Sequence, residues 1–126
     1  MKAVLISQPG GPEQLELVEV ADPQPGPGEV VIAIEATALN RADISQRRGN
    51  YPPPPGAPPY PGLECAGVIE RVGAGVTRWR PGQRVMALLG GGGYAEQVAV
   101  PQETVMEVPE SLSLYEAAAI PEAWLR

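Results

Sequence analysis

Proline and glycine restrict the fold of this chain more than any other feature. Sixteen prolines and fifteen glycines are spread over 126 residues, and most lie between short runs rich in valine, isoleucine and alanine. Proline removes a backbone donor and restricts the residue before it, so these positions separate the runs. Many short strands joined by such turns are typical of a β-barrel or a sandwich. The sequence predicts one mainly β domain with a few short helices.

The apolar runs predict strands over residues 3–6, 15–20, 29–37, 65–72, 84–89, 94–100 and 105–108. A short helix is expected over residues 41–48, because Asn40 can cap its start, Asp43 falls in its first turn and Gly49 can end it in the left-handed conformation. A capping box at residues 113–116 predicts a helix over 117–120, and Pro121 is typical of a second helix start.

Three loop segments have more than one interpretation. The proline-rich loop, residues 50–62, is either a ligand for a domain that recognises polyproline helices or a stiff loop that shapes a pocket rim. The glycines at 73–75 lack the third glycine of a dinucleotide fingerprint, which favours a turn between strands. Gly90–Gly93 has no Lys-Ser/Thr behind it, which favours a flexible hairpin over a phosphate-binding loop.

Composition excludes several functions. Nine basic and fifteen acidic residues give a formal net charge of −6, which argues against nucleic-acid binding. The absence of histidine excludes an imidazole base, and the single cysteine excludes an intrachain disulfide. The N-terminal apolar run is too short for a signal peptide, and no run is long enough to span a membrane. We therefore expect a cytoplasmic protein without a membrane partner.

Three residues are candidates for a functional site. Glu64 stands beside the only cysteine, Cys65, in the stretch YPGLECAG, and can be a metal ligand, a catalytic acid or a structural carboxylate. Asn40 either caps the helix or directs its side-chain amide at a ligand. Tyr51, at the start of the proline-rich loop, can pack as a rim aromatic or stack on a flat substrate.

Four segments carry a resemblance to a known family: ALNRADISQRRGNYPPPPG, YPGLECAGVIERVGAGV, PGQRVMALLGGGGYAEQVAVP and EAAAIPEAWL. In this order they resemble the N-terminal catalytic domain of medium-chain dehydrogenases/reductases, within the quinone oxidoreductase branch. The resemblance covers essentially the whole chain and implies a GroES-like distorted β-barrel. It also implies that residues 1–126 are an incomplete catalytic domain, because family members continue into a Rossmann domain that this sequence does not contain.

The resemblance bears on the metal question. The zinc alcohol dehydrogenases of this superfamily carry a cysteine ligand where this chain has Asn40, and a histidine where it has Leu63. Only Glu64 remains, and a catalytic zinc needs about three protein ligands. No zinc is therefore expected. Glu64 is interpreted as structural or weakly functional, accepting a hydrogen bond from the backbone or from an arginine.

The resemblance also implies roles for the site. Asn40 is placed near the nicotinamide of NADPH and Tyr51 on the acceptor side, both as catalytic residues. Asp43, Leu63 and Glu64 complete the expected pocket for cofactor and substrate. The implied activity is direct hydride transfer from NADPH to a quinone-like acceptor, without zinc.

A second interpretation is a truncated, non-enzymatic form that binds a partner or interferes with the full enzyme. The missing G-x-G-x-x-G segment favours it for this chain alone. Separately, the apolar C-terminal segment, Ala117–Ile120 with Trp124 and Leu125, is expected to pack on a domain missing here. Such an uncovered segment predicts self-association.

Overall fold

The computed structural model describes residues 1–125, without the side chain of Leu125. It contains seven strands, three short α-helices and two 3₁₀ turns in this part of the chain. The strands are β1 Lys2–Ile6, β2 Leu15–Glu19, β3 Glu29–Thr37, β4 Glu64–Val72, β5 Arg84–Leu88, β6 Gln97–Pro101 and β7 Val105–Glu107. The helices are α1 Arg41–Arg47, α2 Leu114–Ala117 and α3 Pro121–Leu125, and the 3₁₀ turns are Pro12–Gln14 and Gln102–Thr104.

The strands form a curled half-barrel. A five-stranded sheet has the order β6-β3-β4-β5-β7, and β1 pairs with β2 in a separate hairpin. Every strand pairing within residues 1–125 is antiparallel, so the parallel sheet of a Rossmann domain is not among them. The prediction of a mainly β, GroES-like fold is confirmed.

Apolar side chains cover both faces of the sheet. The larger core cluster lies on one face and contains Val30, Ile32, Cys65, Ile69, Trp79, Val85, Ala87, Leu89, Val98, Val100 and Val105. A smaller cluster packs α2 against β4 and β5, and contains Ala66, Met86, Val108, Ala117 and Ala118. The β4 neighbours Cys65 and Ala66 belong to different clusters because successive side chains of a strand point to opposite faces.

The predicted C-terminal segment is only partly uncovered. Ala117 and Ala118 are fully buried against this chain's own sheet, which corrects the expectation that they await another domain. Trp124, in contrast, is 79% exposed. The side chain of Leu125 lies outside the described residues.

Three other predictions are wrong in position or in form. The capping box of Ser113 and Glu116 forms, with the Glu116 N–H donating to the Ser113 hydroxyl at 3.0 Å, but its helix is Leu114–Ala117, one turn before the expected range. Gly90–Gly93 does not form a hairpin, because β5 and β6 are not neighbours in the sheet. The strand expected over 94–100 begins at Gln97, while Ala95 makes an isolated bridge to Ala3.

Other local predictions hold. The turn at residues 73–75 joins β4 to β5, which are antiparallel neighbours, and the proline-rich loop contains no helix or strand. Gly49 follows α1 with φ +85°, the left-handed conformation expected of a residue that ends a helix. No helix within residues 1–125 has the length and apolar character required to cross a lipid bilayer.

Candidate functional site

A buried carboxylate lies at the start of α1. Asp43 is 7% exposed, and its Oδ2 accepts a hydrogen bond from the Asn40 backbone N–H at 2.9 Å. The same oxygen accepts a second bond from the Tyr94 hydroxyl at 2.5 Å. Asn40 is the residue that precedes α1, as predicted. One carboxylate therefore joins the helix start to an aromatic residue 51 positions away.

Backbone pairing between two loops holds Tyr94 in place. The N–H groups of Gly92, Gly93 and Tyr94 donate to the carbonyls of Tyr60, Gly62 and Pro61 at 2.7, 3.1 and 2.9 Å. The end of the proline-rich loop thus lies directly against the glycine segment. Because of this pairing, the chain at Gly90–Gly93 runs along the end of the proline-rich loop instead of turning back beside β5.

Gly62 is required for this close approach. Its φ is +110°, and a Cβ added to it would lie 2.6 Å from both the Gly93 Cα and the Tyr94 nitrogen. Real Cβ atoms do not approach backbone so closely, and L-residues with a side chain rarely adopt this φ. Glycine at this position allows the backbone contact that directs Tyr94 toward α1.

The environment of Tyr94 keeps its hydroxyl protonated. Burial raises the pKa of Tyr94 well above its ordinary value of 10.0, and the hydrogen bond to Asp43 and the negative charge of that residue raise it further. The hydroxyl therefore remains a hydrogen-bond donor to Asp43 throughout the physiological range.

A pocket of about 460 Å³ opens beside this pair. Its lining residues come from α1 and the two residues before it, from the end of the proline-rich loop, from the start of β2 and from the loop that carries Tyr94. They are Leu15, Leu39, Asn40, Arg41, Asp43, Ile44, Arg47, Pro61 and Tyr94. This volume lies within the range of small-molecule sites, which are mostly apolar with a few placed polar groups.

Two polar atoms of the lining residues are buried without a partner among the described residues. They are the side-chain Nδ2 of Asn40, a donor, and the Oδ1 of Asp43, an acceptor. Buried polar groups in folded proteins are nearly always hydrogen-bonded, and each exception requires an explanation. A bound ligand with one acceptor and one donor would satisfy both atoms.

Glu64 has a structural role in this arrangement. It is 1% exposed, and its Oε2 accepts a hydrogen bond from the backbone N–H of Glu122, at the start of α3. Burial raises the pKa of Glu64 above 4.5, and the hydrogen bonds from the α3 backbone oppose that shift. Of the two partners predicted for it, backbone or arginine, the structure shows backbone. Glu64 therefore holds α3 against β4.

The remaining predicted residues lie outside the lining of this pocket. Leu63 is buried, and its carbonyl accepts from the Leu89 N–H at 2.8 Å. Tyr51 is half-buried at the start of the proline-rich loop. Asn40 and Asp43 line the pocket together, whereas Tyr51, Leu63 and Glu64 are not among its lining residues. Glu64 still lies close enough to Asp43 for the charge of Asp43 to contribute to its raised pKa. Tyr94 was not predicted, although an aromatic residue directly after four glycines is a signal that could have identified it.

The donor set of the chain does not fit a zinc ion. Among the described residues, no three side chains of the types His, Cys, Asp and Glu lie close enough to share a metal. Cys65 belongs to the apolar core, and burial raises its pKa to about 12, so its thiol stays protonated. Thiolate is the form that binds zinc. No catalytic step through zinc can be derived from these residues.

Comparisons with known proteins identify relatives of the chain. The human synaptic vesicle membrane protein VAT-1 homolog-like is 40% identical over 121 residues, covering 96% of this chain and 29% of that protein. Quinone oxidoreductase from Lama guanicoe is 39% identical over 122 residues, covering 95% of this chain and 37% of that protein. This chain spans about a third of the length of either relative.

Solved structures show the same likeness. Escherichia coli quinone oxidoreductase complexed with NADPH superimposes with a TM-score of 0.87 at 31% identity, covering 94% of this chain and 36% of that one. The alcohol dehydrogenase GroES-like domain family matches residues 26–110, which contain α1, the proline-rich loop and the glycine segment. The chain thus belongs to the alcohol dehydrogenase GroES-like domain family, among VAT-1 proteins and quinone oxidoreductases of the medium-chain dehydrogenase/reductase superfamily.

Proposed function

We propose that this chain is the substrate-binding and catalytic domain of an NADPH-dependent quinone oxidoreductase of the cytoplasm. One observation carries the proposal: Asn40 and Asp43, which line an apolar pocket, carry a buried donor and a buried acceptor that have no partner among the described residues. The identity to quinone oxidoreductases supports it. A quinone-like acceptor suits the apolar walls and the Asn40 amide, because its ring is flat and apolar and its oxygens accept hydrogen bonds; it offers no donor to Asp43 Oδ1.

In the proposed reaction, the residues of this chain would bind the nicotinamide and the acceptor and orient them toward each other. NADPH, when bound, supplies a hydride, and the relative from E. coli is a structure in complex with NADPH. Asn40 Nδ2 would donate to an oxygen of the nicotinamide or of the acceptor. Asp43, held by the Asn40 N–H and the Tyr94 hydroxyl, fixes the start of α1 and hence the direction of that amide. Positioning in a dry cleft is the main contribution that a protein makes to such transfers.

Zinc has no part in the proposed reaction. A quinone is electron-poor and needs little Lewis-acid activation, and the donor set does not fit the metal. We expect purified protein to hold much less than one zinc per chain after dialysis against a weak chelator. One tightly held zinc per chain, found by elemental analysis, would contradict this part of the proposal.

The test of the function uses a chimera. Residues 1–125 replace the equivalent third of E. coli quinone oxidoreductase, and oxidation of NADPH by 1,4-benzoquinone is followed at 340 nm. Asn40→Ser keeps a residue that can cap α1 but removes the amide. We expect it to lower kcat/KM at least tenfold, which corresponds to about 1.4 kcal/mol.

The matched control is Asn50→Ser, which changes an exposed asparagine after the same helix. It should leave the activity unchanged. The proposal is wrong if a folded chimera that binds NADPH is inactive, or if Asn40→Ser has full activity. Residues 1–126 alone should show no turnover, since residues 1–125 contain no parallel nucleotide-binding sheet.

A second candidate function is supported by the exposure of Trp124. A tryptophan that is 79% exposed is suited to an interface, and Tyr115 nearby in sequence is 69% exposed. In this alternative the chain is a non-enzymatic module that associates with a second copy through its C-terminal segment. Sedimentation velocity should then show a dimer that Trp124→Ala dissociates, and a monomer at about 100 μM would argue against the alternative.

A further inference from the structure

Positive charge is concentrated at the candidate pocket. The chain has a formal net charge of −6 and only nine basic residues. Three of these are the arginines at the two ends of α1, and two of the three, Arg41 and Arg47, line the pocket with Asn40 and Asp43. An acidic protein thus places two guanidinium groups around one small apolar cavity.

Neither guanidinium is paired with an acid among the described residues. The ion pairs of residues 1–125 involve the Met1 amino group and Arg71. Arg41 is exposed, whereas Arg47 is half-buried and its Nε donates to the Gly10 carbonyl at 3.1 Å. That bond leaves the two terminal nitrogens of Arg47 for another acceptor. A planar guanidinium with free N–H groups is suited to a carboxylate, a sulfonate or a phosphate.

Asp43 is the one acid of the lining, and its charge must be considered. Its Oδ2 accepts from the Asn40 N–H and from the Tyr94 hydroxyl, and the carboxylate is 7% exposed. These donors stabilise the negative charge inside the protein. The arginines are more exposed than Asp43, so an anion at the mouth of the pocket would meet positive charge first.

The walls between these charges are apolar. They are formed by Leu15, Leu39, Ile44, Pro61 and the ring of Tyr94. Leu39 is 84% exposed, a large apolar surface for a residue at the edge of a cavity. A flat ring would cover it and contact the other walls.

We propose that this pocket binds an acceptor with a flat apolar body and one anionic substituent, and that Arg41 and Arg47 hold the anion. The inference rests on the proposed function for its choice of acceptor, and extends it by naming a class of substrate. Acidic quinones or aromatic acids would be preferred over neutral compounds of the same shape.

The test uses the chain as it is and a ligand that cannot be reduced by hydride. Binding of 2-naphthoate and of neutral 2-naphthamide is measured by NMR titration of the ¹⁵N-labelled protein at 50 mM and 500 mM NaCl. We expect naphthoate to bind about tenfold more tightly at low salt and to shift amides of residues 39–47 and of Tyr94. High salt should remove most of the difference.

Arginine variants test which guanidinium groups bind the carboxylate of naphthoate. Arg41→Gln and Arg47→Gln should each weaken naphthoate binding about tenfold and leave naphthamide unchanged. Arg48→Gln removes the adjacent arginine, which lies outside the pocket lining, and should have no effect. Within residues 1–125 the Arg41 side chain makes no hydrogen bond or ion pair, so its variant should retain the fold, which the unshifted spectrum of the remaining amides verifies.

A competing source of anion is the phosphate of the cofactor, and adenosine 2′,5′-bisphosphate tests it. The proposal is overturned if this compound displaces naphthoate through the same two arginines, if naphthamide binds equally well, or if neither aromatic binds at millimolar concentration. Binding of naphthoate that depends on Arg41 supports it. An inactive chimera together with arginine-dependent binding would disprove the proposed function and leave this site standing.

Discussion

Substitution of Gly62 by alanine tests the packing that positions Tyr94. An added Cβ would lie 2.6 Å from the Gly93 Cα and from the Tyr94 nitrogen, at a φ of +110°. The backbone conformation alone costs a residue with a side chain about 1–2 kcal/mol. Overpacking against atoms that cannot rotate away adds about 1–3 kcal/mol. Gly62→Ala should therefore lower the free energy of unfolding by about 2–5 kcal/mol.

Gly82→Ala is the matched control for the steric part. Gly82 has a similar φ of +96°, but nothing lies within 4 Å of a Cβ added there. It should lose only the conformational part, about 1–2 kcal/mol. Urea unfolding followed by tryptophan fluorescence measures both variants. Equal losses in the two variants would refute the argument, because the contact between the two loops would then be too soft to position Tyr94.

Three further predictions concern single side chains. If the Tyr51 ring stacks on a quinone, Tyr51→Ala should lower kcat/KM of the chimera about two- to tenfold, and Tyr51→Phe should change it little. A loss of about a hundredfold in Tyr51→Phe would instead indicate that the hydroxyl delivers a proton. Burial raises the pKa of Glu64, so the contribution of Glu64 to the free energy of unfolding is full below pH 4.5 and is lost as pH rises through the raised value. Glu64→Gln should therefore reduce the loss of stability between pH 4.5 and 8, measured by urea unfolding. An unchanged pH dependence would contradict this. Cys65, whose pKa is raised to about 12 by burial, should react with Ellman's reagent only after unfolding, and rapid labelling of the native protein would show that the core opens.

The fold was predictable because its signals are local. β3 spans Glu29–Thr37, the range that the alternating apolar pattern predicts, and Asn40 precedes α1 as its side chain favours. The proline-rich loop is irregular because proline cannot complete a ladder or a helix. Each of these features depends on residues within one turn or one strand of each other.

The wrong predictions concern features that depend on contacts between residues distant in sequence. A hairpin at Gly90–Gly93 assumes that strands adjacent in sequence are adjacent in the sheet, but β6 pairs with β3 on the far side of β4. Ala117 and Ala118 are buried against Ala66 of β4 and Met86 of β5. The alternating pattern of a strand shows that such a face is apolar but not which element covers it. Periodicity gives the face of an element and not its neighbour.

In the candidate site, too, local contacts were predictable from the sequence and distant contacts were not. Asn40 and Asp43 are three residues apart, and a capping pattern predicts that they meet. Tyr94 meets Asp43 across 51 residues, by means of a loop contact that no local pattern encodes. Glu64 was expected to accept from the backbone or from an arginine, and its donor is the backbone of Glu122, 58 residues further along the chain.

The two ends of the proline-rich loop are fixed independently of its middle. At one end the Asn50 N–H donates to the Ser45 carbonyl of α1, and at the other Tyr60, Pro61 and Gly62 are bonded to the glycine segment. Between them the only backbone bond described is a turn from Ala57 to Pro54. With so few backbone bonds of its own, the segment between these ends is the part of the loop where a change of sequence should disturb Asn40, Asp43 and Tyr94 least.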